Sequence, residues 1–328
     1  MMFDLQDNDQ LSKFTSKDKK ALLKFLKNYY IEYKSSLDLD EKMTFGIEIE
    51  CFVSGKSQQL YEHNKPTSFS LCKEKSVHYK YGWEFKSPIL KDDTASWSEI
   101  KNTCEYLKSF CKTNEHCGGH IHFGASIFDD NCKYLMNLVY LWMAYEDIIF
   151  RFGNGETLNT RYDANLYANP VTNRFKNLMF FKGVPTDTYT FLRLFKSRMH
   201  NASLNFYNYF LYYTHETDDK NTIEIRSPNG TLEEVIWQNN IHFFGRLIQA
   251  AMRDDLDLLN LYFLISGNNY SDSDIFRDYD HVNLDKALEL ADLIYDNNSD
   301  KLDFLKQYIK NGKSTDSDFL VKTKKFWK

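Results

Sequence analysis

Acidic, imidazole and guanidinium side chains recur at every second position in four short segments of this sequence. The segments are Glu48-Ile49-Glu50, Glu84-Phe85-Lys86, His120-Ile121-His122 and Glu224-Ile225-Arg226. Residues i and i+2 of a β-strand point to the same face of a sheet, so four such strands would present these charged groups on one surface. A surface so rich in charge is unsuited to a core. It suits divalent cations and the phosphates of a nucleotide.

The glutamate pair and the histidine pair each allow two interpretations. Two carboxylates side by side on a strand repel each other unless a cation lies between them, whereas an isolated Glu-x-Glu is typical of a solvated strand face. His120 and His122 can both bind metal, or one can bind metal and the other a phosphate. Cys117 beside them would suit zinc, but a fourth ligand at a characteristic spacing is missing. Because Glu84 and Glu224 are expected on the same surface, a metal site is the favoured interpretation for Glu48 and Glu50.

Arg226 adds to this surface a side chain that can bind phosphate. Glu224 and Arg226 on one face would bind Mg²⁺ and a neighbouring phosphate oxygen, because arginine offers phosphate a fixed pair of donors. A salt bridge between the two side chains is the plain alternative. The sequence contains no P-loop, no dinucleotide-binding glycine fingerprint and no zinc-protease helix motif. A nucleotide would therefore lie on the sheet, held through metal and arginine.

The elements that must position these residues alternate irregularly along the chain, which predicts an α+β fold. Strands are predicted at residues 42–54, 77–87, 120–125, 204–215 and 221–227. Helices are predicted at residues 16–34, 94–113, 132–152, 190–199 and 233–253, with mainly helix from residue 255 onward. Loop or irregular structure is predicted at 55–76 and 153–190.

Composition narrows the class of protein. The chain has 328 residues, 42% of them hydrophobic, and a net charge of −5 with acids and bases interspersed. This charge gives no reason to expect nucleic acid as a partner. No apolar run approaches the roughly 20 residues that span a bilayer, and the first residues lack the layout of a signal peptide, so a cytoplasmic protein is predicted. The six cysteines form no CxxC pair and are expected to be free thiols.

The motifs resemble, in their order along the chain, those of the amidoligase family of carboxylate–amine ligases. They are Gly46-Ile47-Glu48-Ile49-Glu50, Glu84-Phe85-Lys86-Ser87-Pro88, Cys117-Gly118-Gly119-His120-Ile121-His122, and Thr222-Ile223-Glu224-Ile225-Arg226 with Gly230-Thr231. Arg161-Tyr162-Asp163-Ala164-Asn165-Leu166-Tyr167 is similar to the family's Arg-x3-Asn-x-Tyr segment, and Ser203-Leu204-Asn205 to the Leu-Asn before its Glu-x-Arg strand. The resemblance covers roughly residues 43 to 250. It implies a mainly antiparallel sheet with a catalytic face like that of glutamine synthetase and glutamate–cysteine ligase.

The resemblance also implies a role for each residue. Mg²⁺, or Mn²⁺ as an alternative, would be held by Glu48, Glu50, Glu84, Glu224 and one of the pair His120 and His122. ATP would contact Arg226, His122 and Lys86, with Arg226 on the transferring phosphoryl group. The catalytic residues would then be Glu48, Glu50, Glu84, Glu224 and Arg226, and the substrate-binding residues Arg161, Asn205 and Tyr167. One departure from the family is expected, because the loop 55–76 lacks an acidic residue near the second strand.

Three parts of the chain are predicted: an N-terminal helical extension (1–40), an amidoligase-like catalytic domain (41–254) and a helical C-terminal extension (255–328) packed on it. The predicted function is ATP- and Mg²⁺-dependent joining of a small-molecule or peptide carboxylate to an amine through an acyl phosphate. The alternatives are a metal-dependent hydrolase, such as a nuclease or phosphodiesterase, and a catalytically silent nucleotide-binding relative. Glu146, on an apolar helix, is expected either to point into the site or to pack with an arginine such as Arg151.

Overall fold

Seven strands of the described chain form one sheet. This computed structural model describes residues 10–53, 67–77, 82–157, 164–196, 201–218, 220–268 and 282–310. The strands are β1 Phe45–Val53, β2 Ser70–Lys73, β3 Gly82–Lys86, β4 Cys111–Lys112, β5 Gly119–Gly124, β6 Leu204–Asn205 and β7 Thr222–Ile225. Their order is β2-β3-β1-β5-β7-β6, with β4 also paired to β1. These strand pairs are antiparallel, so the predicted α+β class with a mainly antiparallel sheet is confirmed.

The register of the sheet brings the charged residues of four strands together. β1 lies between β3 and β5. The cross-strand partners are Glu48 with Lys86 and His120, Glu50 with Glu84, and His122 with Glu224. The alternate residues of β1, Ile47, Ile49 and Cys51, are buried in the hydrophobic core. One face of β1 therefore packs against apolar side chains while the other carries the carboxylates.

Helices from the whole described chain pack with the sheet in one core. They are α1 Ser16–Leu26, α2 Thr94–Lys108, α3 Cys132–Gly153, α4 Ala164–Tyr167, α5 Thr172–Lys182, α6 Thr188–Lys196, α7 Tyr207–Tyr213, α8 Glu234–Ala251, α9 Leu258–Gly267, α10 Leu284–Ile294 and α11 Asn298–Ile309. A single cluster of buried side chains contains Leu26 of α1, Ile49 of β1 and Phe304 of α11. None of the helices that the structure describes is long and apolar enough to cross a lipid bilayer. The predicted domain boundaries stay a prediction.

The helix predicted at 16–34 ends at Leu26, and the residue at its predicted end contacts α8 instead. The N–H of Lys34 donates to Gln238 Oε1 (2.6 Å), and Gln238 Nε2 donates to the carbonyl of Lys34 (2.7 Å). This paired exchange satisfies the backbone of Lys34 outside a helix. Local periodicity cannot report a hydrogen bond to a side chain that is about 200 residues away.

The strand predicted at 204–215 was wrong for most of its length, because only Leu204 and Asn205 form β6 before α7 begins. The aromatic residues of this segment are typical of strands. However, Asn205 Oδ1 accepts a hydrogen bond from the N–H of Tyr207 (2.8 Å), a local turn that leads into the helix. Packing then holds the helix, with Tyr209 and Phe210 buried.

The stretch predicted as irregular, 153–190, contains α4, α5 and the start of α6. A carboxylate from α3 explains α5. The two oxygens of the fully buried Glu146 accept hydrogen bonds from the N–H groups of Val171 (2.6 Å) and Thr172 (3.0 Å). Glu146 thus caps the N-terminus of α5 from another helix and compensates its dipole. It does not line the cavity described below.

Candidate active site

A cavity of about 350 Å³ lies over the polar face of the sheet, and charged side chains form most of its wall. They are Glu48, Glu50, Glu74, Glu84, His116, His120, His122, Lys86, Lys220, Glu224 and Arg226, with Tyr167, Asn201, Asn208 and Ser76 beside them. The structure thus brings together all four segments identified in the sequence. Burial is deep for such polar groups, since Glu48, the least buried of the four predicted glutamates, is only 7% exposed. We call this region the acidic cavity.

Glu48 lies at the centre of the charged side chains. Its Oε2 is 3.0 Å from His120 Nδ1, and its Oε1 is 3.1 Å from Lys86 Nζ and 3.3 Å from His122 Nε2. Burial raises the pKa of Glu48, but the hydrogen bonds and charges of the two histidines outweigh burial and hold the pKa well below its usual range. Glu48 is therefore ionised at neutral pH.

Glu84 and Glu50 add further negative charge beside Glu48. Burial and then the charge of Glu48 raise the pKa of Glu84, although the Lys86 ammonium lies 2.6 Å from its Oε2. Glu50 Oε2 accepts a hydrogen bond from the N–H of Gly118. Carboxylates held so close together repel each other, and a bound cation would remove this repulsion.

Arg226 connects this cluster to α4. Its Nη1 contacts Glu224 Oε1, and its Nε donates to the carbonyl of Tyr167 (2.8 Å). Asn205 Nδ2 donates to Glu224 Oε2 (2.8 Å). Burial raises the pKa of Glu224, but the Arg226 guanidinium and the charges of the histidines hold the pKa below its usual range. The salt bridge expected as the plain alternative is therefore formed, and it lies inside the cluster.

Three overlapping groups of side chains have the geometry of a cation site. The groups are Glu48, Glu84 and His120; Glu48, His122 and Glu224; and Glu50, Glu74 and Glu84. In each group, one potential ligand atom per residue lies within 4.8 Å of the others. Nε2 of both histidines is buried and faces carboxylates, 3.3 Å from Glu48 Oε1 in His122 and 3.6 Å from Glu50 Oε1 in His120. A metal would satisfy such nitrogens, and carboxylate oxygens with imidazole suit Mg²⁺ or Mn²⁺.

Glu74 was missed by the sequence prediction, and the expectation that 55–76 lacks an acidic residue near the second strand was wrong. The N–H of Glu74 donates to the carbonyl of Gly82 (3.0 Å) in continuation of the β2–β3 pairing. This pairing brings the Glu74 carboxylate beside Glu50 and Glu84. The short apolar run Leu71-Cys72 before Glu74 was the only local signal, and it lay within a stretch predicted as loop.

Lys220 was also missed, and it lies at the edge of the acidic cavity. Its Nζ is 3.6 Å from Glu48 Oε1, and its side chain is 49% exposed. The sequence offered little to identify it, since a lysine between two predicted strands is typical of a solvated turn. Its position makes Lys220 a cation that an incoming anion can reach.

Two further residues singled out in the sequence are Arg161 and Cys117. Arg161 lies outside the described residues, so its predicted role stays a prediction. Cys117 Sγ donates to Asn114 Oδ1 (3.4 Å). Among the residues that the structure describes, none of the groups with cation-site geometry contains a cysteine, so nothing in the geometry supports the zinc alternative.

Residues 53–248 match the profile of a protein family described as "putative amidoligase enzyme". The match covers more than half of the chain. It includes Glu74, Glu84, both histidines and Glu224, and it begins after Glu48 and Glu50. Comparisons with the curated proteins and with the solved structures gave no match.

Proposed function

Because the chain belongs to the amidoligase family, we propose that it is an ATP- and Mg²⁺-dependent ligase that joins a carboxylate to an amine. The observation that carries the proposal is the placement of three potential cation groups, two lysines and Arg226 around one cavity. Phosphoryl transfer from ATP needs this combination of charges. We also propose that the sheet is a catalytic face like that of glutamine synthetase, within a domain of residues 41–254.

The donor atoms of the acidic cavity fit Mg²⁺, with Mn²⁺ as the alternative. Glu48, Glu50, Glu84 and Glu224 would supply carboxylate oxygens, and Glu74 would add another. His120 through Nδ1, or His122 through Nε2, would supply a nitrogen, since these are the atoms that face the glutamates of each group. When bound, the metal would neutralise the β- and γ-phosphates of ATP and align them for transfer.

The proposed reaction has two steps. A carboxylate oxygen of the acid substrate attacks the γ-phosphorus of ATP, the bond from that phosphorus to the bridging oxygen breaks, and ADP leaves behind an acyl phosphate. The amine nitrogen then attacks the acyl carbon, the bond from carbon to the phosphate oxygen breaks, and the proton of the amine passes to solvent. The protein contributes alignment and charge compensation to both steps rather than a covalent bond.

The contacts of the basic residues are consistent with a role of the protein in alignment and charge compensation. Arg226 is fixed by Glu224 and the Tyr167 carbonyl, so its guanidinium is preorganised for the transferring phosphoryl group. Lys86 and His122 would contact the phosphates of ATP. Asn205, which holds Glu224, and Tyr167, which lines the cavity, would position the acid or amine together with Arg161.

ATP turnover tests the proposal. Release of ADP and phosphate should depend on Mg²⁺ and should rise when the matching acid and amine are added from pools of amino acids, short peptides and small amines. Glu48→Gln and Glu224→Gln should each lower turnover by about a thousandfold, because each removes a ligand charge from the cavity. Glu41→Gln, which changes an exposed glutamate just before β1, should leave turnover unchanged.

Two results would contradict the ligase. Failure of the protein to bind Mg²⁺–ATP would remove the basis of the mechanism. Metal-dependent cleavage of a phosphodiester without ATP, lost in Glu48→Gln and Glu224→Gln, would assign the same cavity to the hydrolase alternative.

A further inference from the structure

A second cavity adjoins the acidic cavity at the end of the sheet where β1 and β7 begin and β3 and β5 end. It has a volume of about 530 Å³, within the range of pockets that hold small molecules. The residues that line both cavities are Glu48, Lys86, His122 and Lys220. The other walls come from the start of β1, the turn after β3, the end of β5, α7, Asp218 and residues 220–222. We call this region the end cavity.

We propose that the end cavity binds the nucleoside of ATP, so that the nucleotide lies along the strands with its triphosphate over the acidic cavity. The proposal rests on the ligase function proposed above and adds the part of the groove that the nucleotide occupies. It leaves the region of Tyr167, Asn201 and Asn208 for the acid and amine substrates.

The charge along the two cavities changes in the order that a nucleoside triphosphate requires. The acidic cavity holds five glutamates, whereas the end cavity shares only Glu48 with them and adds one carboxylate, Asp218. Lys86 and Lys220 lie at the boundary. A triphosphate that crosses this boundary meets both ammonium groups beside Glu48 and His122, which belong to the cation groups.

Exposed apolar side chains in the end cavity suit a flat base. Ile89 is 82% exposed and Tyr212 is 40% exposed, and both line the cavity. A purine or pyrimidine ring packs well against an aromatic face and an aliphatic side chain, and such contacts tolerate different bases. The apolar lining therefore matches the least charged part of a nucleotide.

Asn221 adds a polar contact to this apolar lining. Its Oδ1 is buried and has no hydrogen-bond partner among the described residues, and the residue lines the end cavity. Buried acceptors are normally satisfied. A ribose hydroxyl or an amino group of the base would donate to this oxygen.

The position of Arg226 favours the nucleoside over a substrate in the end cavity. Arg226 lines the acidic cavity and not the end cavity. The γ-phosphate and the attacking carboxylate meet at the residue proposed to bind the transferring group. The rest of the nucleotide then extends away from Arg226, past Lys86 and Lys220, into the end cavity.

Equilibrium binding of two Mg²⁺-bound ligands tests the assignment by calorimetry. One ligand is a non-hydrolysable ATP analogue, and the other is tripolyphosphate, which lacks the nucleoside. The double variant Ile89→Ala/Tyr212→Ala should bind the analogue about tenfold more weakly than the wild type, because apolar contacts to the base are lost. Its affinity for tripolyphosphate should not change.

A matched control variant comes from another exposed aliphatic residue and another exposed tyrosine elsewhere on the surface. Leu259 and Tyr189 are 82% and 47% exposed, and neither lines the two cavities. Leu259→Ala/Tyr189→Ala should bind both ligands as the wild type does. A photoreactive azido-adenine analogue of ATP should label peptides that contain Ile89 or Tyr212.

The failure of this assignment is distinguishable from failure of the ligase. Equal affinity of the wild type and Ile89→Ala/Tyr212→Ala for the ATP analogue would overturn the assignment and leave the ligase proposal intact. A higher KM for the acid or amine, with unchanged affinity for the analogue, would also overturn it and would make the end cavity the substrate site. No binding of the analogue by the wild type would overturn both proposals.

Discussion

Two clusters of buried charge in this fold differ in how completely the protein itself satisfies them. In one, which we call the charge clamp, Lys34 Nζ lies 2.7 Å from Asp300 Oδ1 and 2.7 Å from Asp303 Oδ2. The other oxygens also have donors, since Asn297 Nδ2 donates to Asp300 Oδ2 (2.7 Å) and Tyr29 Oη donates to Asp303 Oδ1 (2.8 Å). Each carboxylate oxygen of the clamp therefore has a partner.

The acidic cavity is built differently. Five carboxylates face two lysines and one arginine around it, and both histidines lie against the glutamates. The clamp joins the segment after α1 to α11, whereas the acidic cavity leaves ligand atoms of separate strands facing one another. The charges of the clamp are thus matched within the protein, whereas the carboxylates of the acidic cavity crowd one another in a way that a bound cation would relieve.

Breaking the clamp should have the largest effect on stability. Lys34→Met leaves two buried aspartates without their ammonium partner, which should lower the free energy of unfolding by about 3–5 kcal/mol. Urea denaturation measures the loss. Lys133→Met removes a pair with Asp254 in which both side chains are more than half exposed, and it should change stability by about 0.5 kcal/mol or less. If Lys34→Met lowers the free energy of unfolding by less than about 1 kcal/mol, the clamp contributes no more than an ordinary surface ion pair.

Acid should weaken the clamp through His242. Burial lowers the pKa of His242 to about 4 against the opposing charge of Asp300, whose Oδ2 lies 3.6 Å from His242 Nε2. The unfolded chain takes up this proton near pH 6.5. The contribution of His242 to the free energy of unfolding is therefore fully present above about pH 6.5. It is lost as the pH falls toward 4, and the loss is on the order of 3 kcal/mol.

Denaturation of the wild type and of His242→Gln between pH 7 and pH 5 tests this dependence. The variant has no imidazole to titrate, so its stability should fall less steeply than that of the wild type. Equal slopes for the two proteins would show that His242 does not link the clamp to pH.

Loosening one ligand of the acidic cavity should reduce metal affinity with a smaller energetic effect. Asn205→Ala removes the hydrogen bond that holds Glu224 Oε2, and binding of Mn²⁺, followed by calorimetry, should weaken by about tenfold. Asn137→Ala removes a buried asparagine that donates to the carbonyl of Ala251 (2.9 Å) and lines neither cavity. It should lower stability but leave Mn²⁺ affinity as in the wild type. Equal Mn²⁺ affinity of Asn205→Ala and Asn137→Ala would show that Asn205 does not support the metal site.

Removing one excess charge from the acidic cavity should have the smallest effect on the free energy of unfolding. It should raise this free energy, whereas breaking the clamp lowers it. Glu84→Gln relieves repulsion with Glu48, so the metal-free protein should gain about 1 kcal/mol in stability. The increase in Tm that Mg²⁺ causes should shrink in the same variant. Glu105→Gln, on the exposed side of α2, should change neither quantity. Destabilisation of metal-free Glu84→Gln would mean that the carboxylates are already compensated.

The strands of the site were predictable because each carries its own signal. A polar face and an apolar face alternate within β1, β5 and β7, so five or six residues sufficed to place Glu48, His120 and Glu224 on one surface. β2 was missed because none of its four residues is buried, so no apolar face marks it in the sequence. Its strand structure depends on pairing with β3, and Glu74 was therefore missed with it.

α6 was predicted at 190–199 and is observed at Thr188–Lys196, but α4 and α5 were not predictable, for a different reason. α5 begins where a carboxylate from α3 caps it, and no residue next to Thr172 announces that cap. A distant contact also lies at the end of α1, where the carbonyl of Leu26 accepts a hydrogen bond from Lys306 Nζ of α11 (2.7 Å). Short elements that depend on distant partners escape a local pattern, whereas long helices such as α3 and α8 were predicted within two residues of their observed ends.

The strict alternation of β1 has a consequence for how this protein tolerates mutation. Replacing a single carboxylate of the strand changes contacts within the cavity only and leaves the core intact. Inserting or deleting one residue before Glu48 would instead turn Glu48 and Glu50 toward the core and Ile47 or Ile49 toward the cavity. Substitutions along this strand can thus alter the chemistry while the fold persists, but a change in its length would remove both at once.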